Sequence, residues 1–367
     1  MKIKMCDVYA YTLSYVHGEY VMSGGRTATM QLSTVIRLVA DNEMEGWGEV
    51  STLAGTYLPS FTGGTRAAIQ ELAEGLIGLD PRNISRIRQI MDGRLLGQQS
   101  AKSAIDMACW DLFGKSVNLS IAELLGGVLQ ESFPLYEAVP LGSPAAMVDF
   151  VARRSAAGIR TFQLKVGNDP YEDADRVKEV AAAAKPGTTV IADSNGGWTL
   201  QKALIAVREM AGLDVYVEQP CRDQEDCALV KATTTLPMVL DESVVGVADL
   251  YHAKYRAGAG SVNLKLSRLG GITPLATMRD LAQSLGLSVT IEDTWGGDIT
   301  TSATAQLAAS SRPELMLSTS FFNTWTNEHI ARDPPRSVDG RGIAPTGAGL
   351  GIDVDMSRLG PPLFSVR

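Results

Sequence analysis

Six charged residues recur at the ends of short apolar runs. Lys165 closes TFQLK, Asp193 closes TVIAD and Glu218 lies in VYVEQP. Asp241 lies in MVLDES, Lys265 in SVNLKLS and Asp293 in SVTIED. Successive members are 28, 25, 23, 24 and 28 residues apart. That step holds one strand, one helix and two loops, repeated. Asp193, Glu218 and Asp241 come from consecutive steps, and three carboxylates in one place repel unless a cation neutralises them. An all-oxygen set suits a hard ion, and Mg²⁺ keeps positions open for water or substrate oxygens. Lys165 and Lys265 would then flank the ion. Such an arrangement suits proton abstraction next to a carboxylate. The ion steadies the ene-diolate, and neighbouring cations lower a lysine's pKa so that it can act as a base. Each lysine would serve one face of the carbon acid.

These residues need strands that end on one rim. From about residue 130 the sequence alternates strand and helix, starting with FPLYEAVPL (133–141) and ending with ELMLSTSF (314–321). Eight strands separated by seven helical segments predict a (β/α)₇β TIM-like barrel, whose active site lies at the C-terminal strand ends. A doubly wound sheet is disfavoured, because no G-x-G-x-x-G follows a strand. Residues 1–50 read as strands around the Asp41-Asn42 turn, and residues 65–127 carry helical periodicity. The reading is an α+β capping domain over 1–127, with Gly- and Tyr-rich lid loops at 14–27 and 51–64. The barrel follows over 128–332, and a Gly/Pro-rich tail over 333–367 is expected to pack back on the capping domain.

Composition sets the bounds. With 45% apolar and 20% charged residues, the 367-residue chain has an ordinary globular balance. A net charge of −8 argues against a general nucleic-acid binder. The four cysteines, Cys6, Cys109, Cys221 and Cys227, form no C-x-x-C pair. No apolar run reaches the length of a membrane span, so no membrane partner is expected. A reducing cytoplasm fits this reading.

The motifs AKSAIDMACWDLFGK, LKVG, ADSNGGW, VEQP, LDES and KLSRLGGIT, in that order, resemble the enolase superfamily in its muconate-lactonising-enzyme-like subgroup. The likeness spans nearly the whole chain. It implies a capped (β/α)₇β barrel and Mg²⁺ on Asp193, Glu218 and Asp241, with Asn195 and Glu242 supporting these ligands. It also implies Lys165 and Lys265 as the catalytic pair, and a homo-oligomer. One departure stands out: Gln163 replaces the first lysine of the subgroup's Lys-X-Lys, leaving Lys165 with one cationic neighbour fewer. None of His17, His252 or His329 fits the histidine base of the mandelate-racemase-like subgroup.

IEDTWGGDITT and the closing GPPLFSVR resemble superfamily members that act on proline derivatives. This implies that Asp293 pairs with the ring nitrogen, while Trp295, Tyr57 and Gln163 complete the substrate site. Phe321, Phe322 and Trp325 are candidates for an aromatic wall against a quaternary ammonium. Ser318 and Ser320, however, stand where such a cage wants an aromatic, which favours an unmethylated amine. The expected activity is dehydration of cis-3-hydroxy-L-proline to Δ¹-pyrroline-2-carboxylate, with Lys265 as base and Lys165 as acid and with 2-epimerisation as a side reaction. The alternatives are a 2-epimerase of proline or hydroxyproline betaine, a dipeptide epimerase, a muconate-type cycloisomerase, and a non-catalytic binding barrel.

Overall fold

The structure, a computed structural model, describes residues 1–367 apart from the side chain of Ala54. The chain starts with the strand Ile3–Ser14, which pairs antiparallel with Met30–Ala40; that strand pairs in turn with Glu45–Ser51. The helices Thr62–Glu74 and Ile84–Arg94 follow, then the long helix Gln99–Val117. This last helix is buried almost all round. It lies against the strand Glu45–Ser51 on one side and the barrel segment 266–273 on the other. Its close approach to the sheet requires Gly46 and Gly48. A Cβ on Gly48 would fall 1.9 Å from the Ala104 carbonyl oxygen, and one on Gly46 would fall 2.3 Å from that of Ala108.

The barrel strands are Tyr136–Val139, Thr161–Lys165, Thr189–Asp193, Tyr216–Glu218, Met238–Leu240, Ser261–Lys265, Ser288–Glu292 and Met316–Thr319. They lie parallel in chain order, and a bridge from Leu135 to Thr319 brings the first beside the last. The helices between them begin where the sequence supplies caps. Ser143, Asp169, Thr199 and Asp223 each accept a hydrogen bond from a backbone N–H in the first turn, and proline opens two of these helices. The alternate strand residues, mostly Val, Ile, Leu and Ala at 0–3% exposure, face the helices, while the face that carries the rim residues also holds buried Gln163, Asn263 and Thr290, so the interior is packed rather than a pore.

Two expectations need adjusting. The run 133–141 is not one strand: Phe133–Pro134 pairs with Arg341–Gly342 of the tail, and only Tyr136–Val139 joins the barrel. The loop 14–27 contains a short hairpin, Tyr20–Val21 against Thr27–Ala28. The tail ends in the strand Phe364–Val366, which adds to the edge of Ile3–Ser14 with Cys6 opposite Val366 and Val8 opposite Phe364. All four cysteines are buried and free, and no described helix is long and apolar enough to cross a membrane.

Candidate active site

Lys165, Asp193, Glu218 and Lys265 are each the last residue of their strand, and Asp241 and Asp293 each follow theirs by one. Sheet register sets Lys165 beside Asp193, Asp193 beside Glu218, and Lys265 beside Glu292. Above these strand ends lies a small cavity. Both lysines, Gln163, Asn195, Asp293, Trp295 and Tyr57 line it. Leu53 and Tyr57 reach it from the loop 51–64, and Tyr20 and Met22 from the loop 14–27.

Among the described residues, no three His, Cys, Asp or Glu side chains are gathered into a ready-made metal cage. Each of the three acids is instead engaged by an internal partner. Lys165 Nζ donates to Asp193 Oδ2 at 2.5 Å. Glu218 accepts from Gln163 Nε2 at 2.9 and 3.1 Å and from Asn263 Nδ2 at 2.7 Å. Asp241 accepts from Arg268 at 2.6 Å and from the Tyr57 hydroxyl at 2.7 Å, with Lys265 Nζ 3.0 Å away. Asn195 joins Asp193 to Glu242, donating at 2.9 and 3.0 Å.

The electrostatics show how much charge is crowded here. Burial, and then the Asp193 and Asp241 charges, push the Glu218 carboxyl well above the usual carboxylate range. Burial and the same two neighbours lift Glu242 to about 7. Asp241 goes the other way: burial raises it, but Lys265 and Arg268 together pull it below the usual range. A buried set of oxygen donors pressing on one another fits a hard divalent cation.

The expected lowering of the lysine pKa values rests on a bound cation, and the protein side chains by themselves act the other way. Burial disfavours the Lys165 ammonium, but Asp193, Tyr20 and Glu218 outweigh it and hold it well above the usual lysine range. Lys265 is likewise held up by Asp241 and Glu292 against its own burial. In this arrangement both are cations. Gln163 does more than remove a charge. Its carbonyl accepts from Lys165 at 2.8 Å while its amide serves Glu218, so it links the lysine to an acid two strands away.

Asp293 lies in the cavity wall with its two oxygens used differently. Its Oδ1 accepts from the Ser267 and Thr294 backbone amides, at 2.9 and 2.7 Å, and from the Ser267 hydroxyl. Its Oδ2 is buried without a partner. The adjacent Glu292 was not among the sequence candidates. It also lines the cavity, accepts from the Tyr136 hydroxyl, and sits 3.3 Å from Lys265 Nζ. The signal was present, since Glu292 ends its strand just as Lys165, Asp193, Glu218 and Lys265 end theirs. Arg268, three residues past Lys265, had no comparable signal.

The aromatic residues also differ from expectation. Phe321 packs away from the cavity, on Phe133. Tyr20, Tyr136, Trp295, Phe322 and Trp325 all line it. Trp295 stacks on Phe322 and meets Tyr20 and Trp325 edge-on, with centroids 5.4–5.8 Å apart. Ser318 and Ser320 are fully buried and lie outside the lining, so their size says nothing against a quaternary ammonium.

With this geometry in hand, the comparisons with known proteins fall into place. The mandelate racemase/muconate lactonizing enzyme N-terminal domain matches residues 15–126, and the enolase C-terminal domain-like family matches residues 146–358. The chain belongs to the mandelate racemase/muconate lactonizing enzyme family of the enolase superfamily, a family of enzymes. It is 39% identical over 363 residues to the cis-3-hydroxy-L-proline dehydratase of Roseibium aggregatum, with 99% of each chain covered. It is 28% identical to an N-succinyl-L-Arg/Lys racemase of Bacillus cereus, with 85% of each covered. It superposes with a TM-score of 0.96, at 32% identity and full coverage of both chains, on a family member from Roseovarius nubinhibens ISM crystallised with magnesium.

Proposed function

We propose that this protein is a lyase that dehydrates cis-3-hydroxy-L-proline to Δ¹-pyrroline-2-carboxylate. The observation that carries the reading is the placement of Lys165 and Lys265 on the second and sixth of eight strands, on opposite sides of one cavity. In cis-3-hydroxy-L-proline the hydroxyl is on the same ring face as the carboxylate. The α-proton therefore lies on the face opposite the leaving group. One lysine takes the proton from C2 on one face, and the other gives a proton to the departing hydroxyl on the other face. The Cα–H electrons become the C2–C3 double bond as the C3–O bond breaks, and water leaves. The resulting enamine tautomerises to the cyclic imine. Lys265 acts as base and Lys165 as acid.

Asp193, Glu218 and Asp241 would hold Mg²⁺, which when bound supplies positive charge against the negative charge that builds on the substrate carboxylate. Asp293 offers its free Oδ2 to the ring ammonium, and Trp295 and Tyr57 flank the ring. The likeness to a dehydratase of this substrate over the full chain supports the same reading.

A second reading is 2-epimerisation of a proline or hydroxyproline betaine. The six aromatic side chains in the cavity wall favour it, because aromatic faces attract a quaternary ammonium. Incubation with Mg²⁺ and cis-3-hydroxy-L-proline separates the two. The dehydratase reading expects an imine product and loss of the hydroxyl. No imine, together with C2 deuterium exchange of a betaine in D₂O, would replace it with the epimerase.

A further inference from the structure

Lys265 is covered by a tyrosine that comes from a loop of the N-terminal part of the chain. Tyr57, in the loop 51–64, donates to Asp241 Oδ2 at 2.7 Å and accepts from Lys265 Nζ at 2.7 Å. The Lys265 ammonium also lies 4.7 Å from the centroid of its ring. Lys165 Nζ instead donates to Gln163 at 2.8 Å and to Asp193 at 2.5 Å, both on the barrel itself.

A lysine amine sits on a flexible four-carbon stem, so burial alone does not aim its lone pair. A phenol oxygen beside it supplies an acceptor for one N–H and leaves the lone pair free. At Lys265 the acceptor is directed, because Tyr57 spends its own proton on Asp241. We propose that Tyr57 is a positioning residue, which aims Lys265 at one face of the substrate carbon. This rests on the reading of the two lysines as proton-transfer groups. The loop 51–64 would then bear on the stereochemical balance of the site as well as cover it.

The test is C2 hydrogen–deuterium exchange of L- and D-proline and of their N,N-dimethyl betaines in D₂O. It uses the full chain with Mg²⁺ varied, so that weakened metal affinity is separated from weakened exchange. Lys165→Ala and Lys265→Ala first assign each isomer to its lysine. Tyr57→Phe is expected to slow exchange of the Lys265-served isomer about 10- to 100-fold, the cost of a misplaced reacting group, and far more than that of the other isomer. Equal loss for both isomers would overturn the pairing while leaving the lysines' role intact. Absence of exchange by the parent protein with all four probes would overturn both readings.

Discussion

At the scale of single residues, Asp293 and Glu292 show how neighbouring acids divide their work. Glu292 faces inward to Tyr136 and Lys265, while Asp293 is held from behind by Ser267 and Thr294 and keeps one oxygen unpaired. Burial lifts the Asp293 carboxyl to about 6, against the lowering effect of Ser267. If Oδ2 receives the ring ammonium, Asp293→Asn should raise KM for cis-3-hydroxy-L-proline about 10- to 100-fold, the usual worth of a buried hydrogen bond to a charge, and change kcat much less. Protonation removes the charge, so the parent's KM should climb as pH falls below about 6, whereas the Asn variant's should not. Steady-state kinetics between pH 5 and 8 measure both effects. A parent KM that stays flat over that range would remove Asp293 from substrate binding.

At the scale of elements, the long helix Gln99–Val117 joins the two halves of the molecule. Asp106 on this helix accepts from the Thr273 amide at 3.0 Å and its hydroxyl at 2.6 Å, capping the barrel helix Ile272–Ser284 from outside. Burial raises Asp106 from an ordinary 3.8 to about 6, against the lowering effect of Thr273. An acid whose folded pKa lies above its unfolded one stabilises most below the unfolded pKa, and it loses that contribution as pH rises through the folded value. The window is therefore pH 4 to 6, and about two pKa units correspond to roughly 3 kcal/mol. Asp106→Asn keeps the acceptor and cannot ionise. The variant should gain stability over the parent as pH rises from 4 to 7, read from urea midpoints at each pH. A constant difference across that range would show that Asp106 is not held in its neutral form by the fold.

At the scale of the whole molecule, the last strand closes the edge of the first sheet. Phe364–Val366 pairs with Ile3–Ser14, and Leu363 N donates to Val8 O at 2.7 Å. Removing residues 361–367 would open that edge and uncover part of Cys6 and Val8, which are at 0% exposure. The expected loss is about 1–3 kcal/mol, from cross-strand pairs and uncovered apolar surface. An unpaired edge also invites association between chains. Urea midpoints and light scattering of the truncated chain measure the two effects. An unchanged midpoint would show that this strand adds nothing to the stability of the fold.

The sequence alone determined the barrel and its rim. A strand–helix repeat of 23 to 28 residues has few other solutions, and a parallel barrel puts every strand end on one rim. Lys165, Asp193, Glu218, Asp241 and Lys265 were legible for that reason, since each closes an apolar run. Tertiary structure decided what meets across the cavity. Tyr57 lies 208 residues from Lys265, and no local pattern marks a loop tyrosine as a lysine's partner. The same holds for Arg268 on Asp241 and for the aromatic wall built from five separate segments. Period and spacing are properties of the chain, but long-range contacts depend on how the elements pack. The charge state of each group follows those contacts, as Glu292 beside Lys265 shows.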